Sequence, residues 1–109
     1  MSHHEFGIMR ANPKQNTRYD TYEPQKYNCI SVNDDSIEPL LEKLSVVDCF
    51  WHTLSNPQKN LAYCGVTLIP PSSLNKFIDI LEETNGTEEL KKLLLIAKDE
   101  DKFVIHFGI

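Results

Sequence analysis

Residues 46–81, VVDCFWHTLSNPQKNLAYCGVTLIPPSSLNKFIDIL, constrain the fold more than any other part of the chain. Two apolar runs, 46–54 and 61–69, flank Asn56, Pro57, Gln58 and Lys59, with Asn60 beside them. Apolar runs of this length bounded by turn residues read as two strands of a hairpin. Pro70 and Pro71 end the second run, since neither can donate to a strand ladder. Leu74, Phe77, Ile78 and Leu81 then recur at helical spacing, with Ser72 or Ser73 as the N-cap. A hairpin followed directly by an amphipathic helix calls for an antiparallel sheet with helices on its apolar face.

Register decides which side chains the helix covers, because a slip of one residue exchanges the two faces. With Trp51 opposite Cys64, one face carries Val47, Cys49, Trp51, Ala62, Cys64, Val66 and Leu68 and reads as core. The other carries Asp48, Phe50, His52, Tyr63, Gly65 and Thr67. The neighbouring register would bury His52 with Cys64. The first register is preferred because it keeps Asp48 and His52 together outside the core and spares a buried charge.

The remaining elements fit around this unit. Residues 1–4 are expected to be disordered, and residues 5–10 form a first strand. Residues 11–26 form a long surface loop with two prolines and no core periodicity, punctuated by Tyr19 and Tyr22 and followed by Tyr27. Residues 27–32 read as a second strand. A helix capped by Asp35, with Glu38 three residues on, follows and carries Ile37, Leu40, Leu41 and Leu44 inward. Asp34, Asp35 and Glu38 lack the ligand spacing of a calcium loop and read as capping and macrodipole charges. Asn85 and Gly86 stop the hairpin helix. Thr87 caps the next one, with Glu88 and Glu89 first, Lys98 last, and Leu90, Leu93, Leu94 and Ala97 facing the core. Leu95 and Ile96 widen that stripe and offer a second contact surface. Residues 102–108 alternate as a last strand, Phe103, Ile105 and Phe107 against Val104, His106 and Gly108.

The order β-β-α-β-β-α-α-β makes a single α+β domain over residues 1–109: a mostly antiparallel five-stranded sheet with three helices packed on one face. A net charge of −5 disfavours nucleic acid and suits a basic protein partner. No apolar run approaches a membrane span of about 20 residues, so no membrane partner is expected. Three cysteines at irregular spacing point to a reducing, cytoplasmic setting and read as buried free thiols. No phosphate-binding glycine pattern is present and no cofactor is expected. Cys49 and His52 are spaced C-x-x-H, with Cys64 further on, but on a strand positions 49 and 52 point to opposite faces, so no metal is expected. The same geometry separates a Cys–His nucleophile pair in the preferred register.

Two functional readings remain. The outer sheet face would present Asp48, Phe50, His52 and Tyr63, with His106 on the same side. The first reading is a small acidic non-catalytic protein-binding module, of the inhibitor or immunity-protein kind that neutralises a basic toxic enzyme. Its contacts would be Tyr19, Tyr22, Phe50, His52 and Tyr63. The second is a small hydrolase or nuclease in which His52 and His106, with Asp48, serve as general base and acid. Self-association through Leu95 and Ile96 is a further option.

Overall fold

The structure, a computed structural model, describes residues 2–109. It is α+β, with one antiparallel sheet of six strands: β1 (His3–Ile8), β2 (Ile30–Asn33), β3 (Asp48–Trp51), β4 (Pro57–Lys59), β5 (Val66–Ile69) and β6 (Val104–Phe107). Their order across the sheet is β2-β1-β6-β5-β3-β4. Three helical segments cover one face. The first is broken into α1 (Asp34–Ile37), a 3-10 turn (Glu38–Leu40) and α2 (Leu41–Leu44); the others are α3 (Pro71–Leu81) and α4 (Glu88–Asp99).

The sixth strand comes from the residues expected to turn the hairpin. Asp48 pairs with Lys59 and Phe50 with Pro57, so β4 is a short edge strand, where a proline is tolerated. Residues 60–65 then cross over, and β5 pairs with the other edge of β3, placing Phe50 opposite Leu68 and Trp51 opposite Thr67. The expected register, Trp51 opposite Cys64, is corrected by this crossover. Left-handed residues at both bends, His52 at φ 65° and Asn60 at φ 79°, end the alternation that the expected register extrapolated. Trp51 is half-buried, with its indole N–H donating to the Asn60 carbonyl at 3.0 Å.

Phe6, Val32, Cys49, Ile69 and Val104 face the helices and join Ile37, Leu44, Phe77, Leu81 and Leu94 in the main core. Side chains such as Phe77 and Leu94, with no exposed surface, each contribute about 2 kcal/mol by burial. The helical periodicity holds throughout, but the caps differ from expectation. Asn33, not Asp35, caps α1 by accepting the Asp35 N–H at 2.8 Å. That earlier start moves Pro39 beyond the first turn, where its missing N–H breaks the ladder and the chain tightens to 3-10. The α3 helix begins at Pro71, which has no N–H to satisfy, and no side chain caps it. Ser73 instead donates to the Asp48 carbonyl at 2.6 Å, pinning α3 to β3.

The opposite sheet face is also covered, by the chain between β1 and β2. Tyr19, Tyr27 and Cys29 from this loop pack with Met9 on Val66, Leu68, Ile105 and Phe107 to form a second core. Backbone bonds hold the loop down: Met9 N–H to the Phe103 carbonyl at 2.9 Å and Tyr19 N–H to the His52 carbonyl at 2.7 Å. Gly7 permits the closest approach, since a Cβ there would stand 2.7 Å from the Cys29 sulfur. The expected disorder of residues 1–4 is corrected for His3 and His4, which belong to β1; Met1 lies outside the described residues.

Candidate functional site

The fold does not bring Asp48, His52 and His106 to one face. Asp48 is exposed near the sheet edge, and a hydrogen bond from the Lys59 ammonium holds its carboxyl below the usual range. His52 lies just past β3, with its Nδ1 2.6 Å from an Asp20 carboxylate oxygen on the covering loop. Asp20 is held below the usual carboxylate range first by the Arg18 guanidinium, 2.9 Å away, and then by His52. His106 pairs across the sheet with Phe6 and Thr67, lies on the helix-covered face and has no exposed surface. The expectation that His106 shares a solvated face with Asp48 and His52 is corrected. Both faces of β6 are buried, so alternation alone did not say which one the helices cover.

His106 belongs instead to a buried polar chain that the sequence reading missed. Its Nε2 lies 2.9 Å from Nδ1 of His4, and its Nδ1 lies 2.9 Å from the Thr67 hydroxyl. The two imidazoles stack, with centroids 5.1 Å apart and planes 20° from parallel. His4 Nε2 lies 2.8 Å from one Asp34 oxygen, and the other accepts the Tyr63 hydroxyl proton at 2.6 Å. His4 and Thr67, like His106, have no exposed surface.

Charge sets the direction of the bonds at the Asp34 end of this chain. Bonds from Tyr63 and His4 hold the Asp34 carboxyl below its usual range, so at neutral pH it only accepts. His4 therefore donates to it from Nε2, and with that tautomer its Nδ1 accepts. His106 donates to it from Nε2 and accepts the Thr67 hydroxyl proton at Nδ1. The Thr67 oxygen in turn accepts the Ala62 N–H at 2.8 Å. Each ring nitrogen and the Thr67 hydroxyl have a partner, as a buried polar group requires. Burial, reinforced by the neighbouring His4, pushes the His106 pKa well down. The chain ties β1, β5 and β6 to the first turn of α1 and to the turn carrying Tyr63. It resembles a proton relay in its wiring, with its Thr67 hydroxyl sealed from solvent.

A signal for it did exist. His4 shares a face with Phe6 in β1, Thr67 interrupts an apolar run in β5, and His106 does so in β6. Three polar residues at in-register core positions are the mark of a buried network.

The expected contact residues divide in the same way. Tyr19 and Phe50 are half-buried and pack against the second core. Tyr63 is committed to Asp34, and that bond pushes its phenol up to about 12. His52 is engaged with Asp20. Tyr22 alone is broadly open, at 61% exposure. Its hydroxyl donates to Glu5, and its ring edge rests on Phe107 at 5.5 Å and 85°. With Ile109 it flanks a hollow of about 260 Å³ that also takes in Ser2, His3, Glu5 and Gly108.

Among the described residues no group of three or more His, Cys, Asp or Glu is placed to hold a metal ion. The thiols differ from expectation at one position. Cys49 is buried and Cys29 half-buried, and burial pushes both pKa values up to about 12, whereas Cys64 is exposed on the turn before β5. A thiol reagent is expected to label one cysteine within minutes in the native protein and the other two only on unfolding. Fast loss of two or more thiols would contradict this arrangement.

Comparison with models of known protein families, with curated proteins and with solved structures finds no match. Among the described residues no helix is long and apolar enough to cross a membrane.

Proposed function

We propose that this protein is a small non-catalytic binding module that captures a basic protein, with Tyr22 as the anchor. The observation that carries the reading is the state of Tyr22. A large aromatic side chain is exposed, yet its ring and hydroxyl are both held in place. Such a side chain gives contact area with little ordering cost on binding. The net charge of −5 favours a basic partner. So do Asp35, Glu38 and Glu42, exposed along the broken helix with no cation within 4.0 Å among the described residues. An inhibitor or immunity protein acting in the cytoplasm on a basic toxic enzyme is the specific form we favour. A hydrolase or nuclease built on Asp48, His52 and His106 draws no support from the separation of those residues.

The test is affinity capture from the native cells with wild-type and Tyr22→Ala protein side by side. A partner held by the wild type should bind the variant about 30-fold more weakly, the loss typical of an aromatic hot spot. Raising the salt should slow its association. Equal retention by both proteins would remove Tyr22 from the interface.

A further inference from the structure

The α4 helix buries Leu90, Leu94 and Ala97 completely, yet leaves Leu95 42% and Ile96 50% exposed. At 3.6 residues per turn, Lys92 and Asp99 share the outward ridge of this helix, and Leu95 and Ile96 stand about 50° to either side of it. Lys92 and Asp99 are both exposed, and neither has an opposite charge within 4.0 Å among the described residues. Along the outward ridge of this helix the order is Lys92, the apolar pair and then Asp99. Read backwards, it is the same list with every charge exchanged.

A surface with that property is complementary to itself when turned end for end. We propose that a second copy of this chain docks antiparallel on α4, about a two-fold axis between Leu95 and Ile96. The axis sets Leu95 against Ile96 of the second copy and Lys92 against its Asp99, each contact occurring twice by symmetry. The apolar pair closes the centre and the ion pairs flank it. Beside Ile96 runs a groove of about 560 Å³ lined by Ile8, Tyr27 and Leu93 together with Arg10, Lys102 and Glu100. The pairing uses no part of the Tyr22 surface, so this inference and the proposed partner capture stand or fall separately.

One pair of helices of this length makes a small interface, so a dissociation constant of roughly 10–100 µM is expected. Sedimentation equilibrium from about 1 µM to 1 mM tests it. Lys92→Asp places two acids face to face at both ends of the interface, and Asp99→Lys does the same with two lysines. Each single reversal should raise the dissociation constant at least tenfold. Combining the two reversals restores opposite charges and should bring it back to within about threefold of the wild type. Leu95→Ser with Ile96→Ser should leave only monomer. Both charged sites are exposed, and circular dichroism melts should be unchanged in all three charge variants. Wild-type protein that stays monomeric at 1 mM, or single reversals without effect, or a double reversal that fails to restore, would each overturn the proposal.

Discussion

Replacing His106 by alanine is expected to destabilise the protein by about 3–5 kcal/mol, a large share of the about 5–15 kcal/mol that holds a domain of this size together. Two costs add. The imidazole leaves a cavity against Phe6, whose ring centroid is 4.9 Å away. Its loss also strands His4 Nδ1 and the Thr67 hydroxyl in a dry interior, each at about 1–3 kcal/mol. Thr67→Val keeps the shape and removes only the hydroxyl, so it should cost less. Coupling identifies the network. The loss from His4→Ala and His106→Ala together should fall well short of the sum of the single losses, because the first removal already breaks the chain. Urea denaturation of the four proteins measures this. A loss below about 1 kcal/mol in His106→Ala would mean that the buried chain is not what holds this junction.

The same residues make stability depend on pH from the neutral range downward. In the unfolded chain His106 takes up a proton near its ordinary value of 6.5, while in the folded protein it does so only at much lower pH. Lowering the pH through 6.5 therefore adds a proton to the unfolded chain alone, and stability falls. This imidazole has few neighbours. His4 stacks on it, Thr67 and Phe6 are uncharged, and Asp34 is reached only through His4. Asp34 acts in the same direction at lower pH. Its folded value lies below the ordinary 3.8, so the stability it contributes is present above that value and lost beneath it. Melting temperatures taken from pH 7.5 to pH 5 should fall by roughly 5–10 °C. In Thr67→Val, which retains the buried ring, the slope should persist, whereas in His106→Gln it should flatten. A flat profile in the wild type would count against neutral, buried His106.

The helices were legible because one of their faces is wet. Leu74, Phe77, Ile78 and Leu81 stand out against Asn75, Lys76 and Asp79, which are exposed in the structure, so periodicity located the core face of α3. The inner strands gave no such contrast. In β5 and β6 every residue is buried, and when the covering loop packs one face as tightly as the helices pack the other, alternation does not choose between them. Polarity did not choose either, because Thr67 and His106 satisfy each other within the core. The expected contact residues divide for a related reason. Tyr19, Phe50 and Tyr63 have the composition of a contact surface, but aromatic side chains with a polar tip also fasten loops. Only their partners in space separate the two uses, and they leave Tyr22 as the open one.

The central position of β6 bears on how the chain reaches this state. Its neighbours are β1, from the opposite end of the sequence, and β5. During synthesis β1 can pair with β2 early, and β5 can pair with β3, but the two halves have no common strand until residues 104–107 leave the ribosome. Until then they expose the edges that β6 will occupy, at the time when unpaired edges are most prone to aggregation. Pairings this distant along the chain also make folding slow relative to helical proteins of the same size. Cooperative assembly of this sheet is thus a late, single event that waits for the last strand.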